Sequence, residues 1–188
     1  MKLKYSILLR CWLLPVLALL GGCTAQKPAI ATSTAETTIY IVRHAEKDLT
    51  PGLADPPLTP AGQQRALALR DTLRKAAIDA VFSTATSRTR ATATPLASRH
   101  HQEIVVYDAR QLPTLAARIR REYRGRAVLV VGHSNTILET VEALGAAQPV
   151  PTIGDNDYDY LLEVRIPQDS TRVATAVARR YGAGSSGR

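Results

Sequence analysis

Apolar residues in this chain fall into short dense blocks, separated by longer stretches where they recur every three or four positions. Thr38 to Val42 is β-branched or aromatic throughout and predicts a buried strand. Ala80-Val81-Phe82 and Glu103 to Tyr107 predict two more. Ala127 to Val131 is apolar at every position, as suits a strand buried on both faces. Thr59 followed by Pro60 is an N-cap with proline at the first helical position. Ala66, Leu69, Leu73 and Ala77 then mark one face of a helix running to about Ala77. Ser87 to Ser98, rich in threonine, predicts a second helix, and Pro113 to Tyr123 a third, ended by Gly125. Gly132-His133-Ser134-Asn135 turns the chain into a fourth, reaching about Leu144. Tyr160 to Ile166 alternates like a strand, and Val173, Thr175 and Val177 suggest one more, the two expected as an antiparallel hairpin at one edge. Strands alternating with helices predict an α/β fold: a three-layer α/β/α sandwich whose central sheet is mostly parallel, with helices on both faces.

The polar stretches set the boundaries. Asp48 to Pro57 and Gln148 to Asp159 are rich in Pro, Gly and Asp and read as loops. Lys2, Lys4 and Arg10 precede an apolar run, Cys11 to Leu20, that is shorter than the roughly 20 residues a membrane-spanning helix needs. That pattern is a secretory signal, and Leu20-Gly21-Gly22-Cys23 resembles a bacterial lipobox, which implies lipidation of Cys23. The expected organisation is a signal over 1–22, a flexible tether over 23–37, one domain over 38–181 and a disordered Gly/Ser tail over 182–188. The expected location is the bacterial cell envelope, lipid-anchored, with the domain facing the periplasm or the exterior.

Processing at Cys23 removes Cys11 with the signal and leaves the domain without a thiol to pair. The formal charge of +8 falls with the loss of Lys2, Lys4 and Arg10. The remaining arginines are scattered and aromatics make up only 5 % of the chain, so clustered basic and aromatic residues of the nucleic-acid-binding kind are missing. Positive charge instead suits a small anionic substrate or an anionic membrane surface. The four histidines lack metal-ligand spacing, so no metal or other cofactor is expected. His100-His101 reads as a solvated surface pair.

Three predicted strands end in cations: Arg43 with His44, Arg88 just past Phe82, and His133 after Val131. Parallel strands point their C-terminal ends the same way, so these exits can converge on one site. A neutral imidazole can attack phosphorus, while guanidinium forks hold a tetrahedral anion. Nearby Arg43 and Arg88 disfavour a charged His44 and keep it nucleophilic.

The chain resembles the histidine phosphatase superfamily, the phosphoglycerate mutase-like enzymes. Arg43-His44-Ala45-Glu46 is similar to that family's Arg-His-Gly-Glu signature, with alanine for glycine. Ser83-Thr84-Ala85-Thr86-Ser87-Arg88-Thr89-Arg90-Ala91-Thr92-Ala93 resembles its second motif, and Val130-Val131-Gly132-His133 the strand that delivers its second histidine. The resemblance, spanning about Thr38 to Ala143, implies a metal-independent phosphatase acting through a phosphohistidine on His44. By it, Arg43 and Arg88 hold the phosphoryl group, and His133, charged once phosphate is bound, completes the pocket. Spacing favours Arg88 over Arg90. The general acid is open: Asp108 is the best-placed carboxylate, with Glu46, Asp48, Asp157 and Asp159 as alternatives. The implied partner is a small phosphorylated substrate, beside the membrane reached through Cys23.

Two other readings compete. Gly132-His133-Ser134-Asn135-Thr136 imitates the nucleophile elbow of a serine hydrolase, but its last glycine is threonine and no histidine follows Ser134 in the chain. A non-catalytic lipoprotein that binds a phosphate ligand on the same fold is the other, favoured by the lack of an obvious acid.

Overall fold

The computed structural model describes residues 36–185. The expected signal, Cys23 and all of the expected tether before Glu36 lie outside the described residues, as do 186–188. The ten elements are β1 (Thr37–Arg43), α1 (Pro60–Thr72), β2 (Ile78–Ser83), α2 (Ser87–Arg99), β3 (Ile104–Val106), α3 (Leu112–Glu122), β4 (Ala127–Gly132), α4 (Ile137–Ala143), β5 (Tyr160–Ile166) and β6 (Thr175–Arg180). They build a six-stranded sheet in the order β3-β2-β4-β1-β5-β6. Strands β1, β2, β3 and β4 run parallel, and β5 lies antiparallel to β1 and β6 to β5, giving the expected edge hairpin.

Alternation along each strand makes the sandwich. Ile39 and Ile41 of β1, Phe82 of β2 and Val128 and Val130 of β4 join Leu115 and Ile119 of α3 and Ile137 and Val141 of α4 in one core. Val42, Val81, Leu129 and Val131, the intervening positions, join Leu69 of α1 and Ala93 and Leu96 of α2 in the other. Each large side chain so buried contributes roughly 1.5–3 kcal/mol. The mixed sheet with helices over both faces is the α/β fold expected.

Three boundaries differ from the pattern. Helix α1 stops at Thr72, and Ala77 is exposed, because Ile78 is drawn into β2 and its partner register with Ala127 fixes the chain there. Val173 lies outside β6 with its side chain in solvent. Residues 182–185 of the expected disordered tail are held in place. Arg65 Nη1 donates to the carbonyls of Tyr181 (3.2 Å) and Ala183 (2.9 Å), and Tyr158 N donates to Ser185 Oγ at 2.8 Å. Composition misleads there because the partners, Arg65 and Tyr158, are distant in the chain and take up the carbonyls of Tyr181 and Ala183 and the hydroxyl of Ser185.

The site is positioned by register. Arg43 lies beside Gly132, and Ser83 beside Val131, so the exits of β1, β4 and β2 are adjacent at one edge of the sheet. Helix α1 packs under the loop after β1, where a Cβ on Gly62 would stand 2.2 Å from the Glu46 carbonyl oxygen; glycine alone allows that approach.

Candidate active site

The exit of β1 carries two buried polar side chains, Arg43 at 4 % and His44 at 3 % exposure. His44 N donates to Gly132 O at 2.9 Å, stitching this exit to that of β4. Ala45, fully buried, donates its N–H to Thr92 Oγ1 at 2.9 Å. The His44 ring places Nδ1 2.8 Å from the Ala45 carbonyl. A carbonyl only accepts, so Nδ1 carries the proton and Nε2 keeps a free lone pair. Burial, with Arg43, Arg88 and His133 nearby, lowers the His44 pKa to about 3 against the pull of the Ala45 carbonyl. The ring is therefore neutral at physiological pH, as the sequence led us to expect.

His133 meets it at the exit of β4, with ring centroids 5.4 Å apart and planes at 67°. Its Nε2 lies 3.0 Å from Thr84 Oγ1. Thr89 Oγ1 shares its one proton between the carbonyls of Thr84 and Thr86, so the Thr84 hydroxyl donates to Thr89 and accepts from His133. That relay places a proton on His133 Nε2. Burial first, then Arg88, Arg43 and Lys47, lowers the His133 pKa; the charged form expected with phosphate bound needs the anion to offset these cations.

Two guanidiniums complete the group. Arg43 Nη1 donates to Gly154 O at 2.9 Å, and its Cζ lies 4.2 Å from the centroid of the Tyr158 ring. Arg88, on the first turn of α2, reaches Asp55 Oδ1 at 3.4 Å through Nη1, while Arg90 is exposed. The same Asp55 accepts Ser87 N at 2.8 Å, capping a helix whose own N-cap, Thr86, makes no side-chain cap bond. The Nε–H groups of both Arg43 and Arg88 are buried without a partner. Buried donors are nearly always satisfied, so two orphans flanking one imidazole point to an anion.

The candidate acids separate on geometry. Asp108 shares a cleft of about 400 Å³ with His133, Thr84 and Tyr107, but Arg110 binds its carboxylate through Nε, Nη2 and the backbone N–H and holds its pKa below the usual carboxylate range. Glu46 is chelated by Arg65, with Nη2 to Oε1 at 2.6 Å, and serves as a structural tie instead of a proton donor. Asp48 accepts from Thr50, and Asp157 from Gly154 N. Asp159 is buried against Arg180 and Ser185. Ser134 donates to Asp155 at 3.2 Å, and the neighbouring His133 ring is engaged by Thr84, so Ser134 has no imidazole base. His100 departs from the solvated pair expected: it is half-buried with an unpartnered Nε2 and a pKa lowered by burial, while His101 is exposed. Both lie past the far end of α2 from Arg88. No cluster of three metal-ligating side chains occurs among the described residues.

Sequence reasoning missed Asp155, Tyr158, the Gly154 carbonyl and the Thr84–Thr89 hydroxyl pair. Gly154-Asp155-Asn156-Asp157-Tyr158 has only turn composition, and nothing local ties it to Arg43.

Residues 39–112 match the family model for the histidine phosphatase superfamily (branch 1), a span that takes in Arg43, His44 and Arg88. Among curated proteins, none matches the sequence. Solved structures do match it in fold. A mycobacterial glucosyl-3-phosphoglycerate phosphatase superposes with TM-score 0.58 at 16 % identity, covering 79 % of this chain and all of its own. A protein of Agrobacterium tumefaciens assigned as the phosphohistidine phosphatase SixA gives 0.55 at 21 %, covering 79 % of this chain and 99 % of its own. At such identities the likeness is one of fold.

Proposed function

We propose that this protein is a phosphomonoesterase that works through a phosphohistidine on His44 without a metal. The observation that carries the reading is the pair of buried, unpartnered Arg43 and Arg88 Nε–H groups beside a neutral imidazole whose Nε2 is unprotonated. A phosphoryl group held by both guanidiniums presents phosphorus to Nε2. As the P–N bond forms and the ester P–O bond breaks to release the alcohol, the Ala45 carbonyl stabilises the charge that develops on the ring through Nδ1–H. Arg43, Arg88 and His133 offer donors to the equatorial oxygens, where negative charge spreads in the transition state. Water then attacks phosphorus, releases inorganic phosphate and restores His44. A structural neighbour, the mycobacterial glucosyl-3-phosphoglycerate phosphatase, has been solved with VO3 and with inorganic phosphate, ligands that suit such a site.

The test is turnover of an aryl phosphate in EDTA. Wild type is expected to hydrolyse it and to yield an acid-labile phosphoenzyme mapping to His44, and His44→Ala to lose both; undiminished turnover by His44→Ala would remove His44 from the mechanism. The lipobox-like Leu20-Gly21-Gly22-Cys23 supports anchoring in the cell envelope with the domain outside the cytoplasm. Incorporation of labelled palmitate, abolished by Cys23→Ser, is the expected result; equal labelling of both proteins counts against it.

A further inference from the structure

One loop grips Arg43. Gly154 supplies a carbonyl, Tyr158 a ring face, and Asp155 a carboxylate 3.8 Å from Nη2. The same carboxylate accepts from Ser134, the residue after His133, at 3.2 Å. Asp155 thus bridges the exits of β1 and β4, yet its side chain is 93 % exposed. Tyr158, three residues on, reaches within 6.1 Å of the His44 ring centroid. We propose that Asp155 is the proton donor to the leaving group, an assignment that rests on the phosphatase reading above and extends the substrates to phosphates of poor leaving groups such as alkyl alcohols.

The reason lies in where the carboxylate stands. It lies 3.8 Å from Nη2 of the guanidinium that would grip the phosphoryl group, and it is exposed on the solvent side, where a leaving alcohol departs. Asp108 has no such link, because its partner Arg110 is a surface side chain outside the phosphate clamp. Nor does Asp157 compete for the role: it is bonded to Gly154 N and lies 3.9 Å from Arg180. In the first step His44 Nε2 bonds to phosphorus, the P–O bond to the alcohol breaks, and its electron pair takes the proton from Asp155. In the second, the Asp155 carboxylate accepts a proton from water as the water oxygen bonds to phosphorus. The P–N bond breaks and its pair returns to Nε2.

The experiment compares wild type, Asp155→Asn and Asp108→Asn on an aryl phosphate, whose leaving group needs no proton, and an alkyl phosphate. For Asp155→Asn, kcat/KM on the alkyl substrate is expected to fall about 100-fold, while that on the aryl substrate stays within about threefold. A burst of aryl alcohol should also appear, because water attack has lost its base. Asp108→Asn should move neither. Equal losses on both substrates, an unchanged alkyl rate, or the same split in Asp108→Asn would overturn the assignment while leaving the phosphatase reading in place. A wild type that turns over neither substrate would bring down both.

Discussion

Two arginines are buried almost equally in this protein, and they are opposites. Arg65, on α1, is 5 % exposed and fully matched: Glu46 accepts from Nε and Nη2, and the Tyr181 and Ala183 carbonyls accept from Nη1. Burial works to lower its pKa, but Glu46 outweighs burial and the net shift is upward. Arg43, as buried, has one firm acceptor, a cation–π contact and an orphaned Nε–H, and burial lowers its pKa, with Arg88 adding to the effect. The first arginine is a completed tie between the β1 exit, α1 and the end of the chain. The second is an incomplete one, its deficit directed at a site where an anion would complete it. Burial alone marks neither as functional; the unmet donor does.

Removing each arginine should give opposite phenotypes. Arg43→Met is expected to cut kcat/KM on an aryl phosphate about 10²–10³-fold, as loss of a preorganised donor does, with a melting temperature at or above that of wild type. A fall in stability matching that of the Arg65 variant would break the contrast. Arg65→Met is expected to cost about 3–5 kcal/mol in denaturant unfolding, because the Glu46 carboxylate is left without its partner. The folded fraction should keep its kcat/KM within a few-fold, and adding Glu46→Gln should restore part of the stability.

The smallest effect is a slope with pH. His44 has its folded pKa lowered to about 3 from 6.5, so the unfolded chain binds the extra proton between those values. Stability from this group is complete above pH 6.5 and is lost as pH falls towards 3. His133 and His100, also lowered, act in the same sense. His44→Asn should flatten the decline in urea midpoint across that window, and an unchanged slope would show that the ring is not held neutral.

Much of this was legible in the sequence because the signals are local. The apolar run of β4 and the β-branched run of β1 fixed a parallel core, and Arg43-His44 announced its exit edge. Spacing separated Arg88, which is turned inward, from Arg90, which is exposed. What was missed depends on distant partners. Arg43 and Gly154 are 111 positions apart, and Asp55 caps a helix from 32 residues away. The same blindness made Glu46 a candidate acid, since nothing in Arg43-His44-Ala45-Glu46 reveals that Arg65 claims its carboxylate.

The order of residues by itself determined the elements, the face each side chain takes and the chemical types brought to one end of the sheet, because period and turn chemistry act over a few positions. Only the tertiary structure decided which donors are satisfied and which are left open. Satisfaction is a property of partners that meet in space, and their meeting depends on loops whose composition specifies a turn but not a destination.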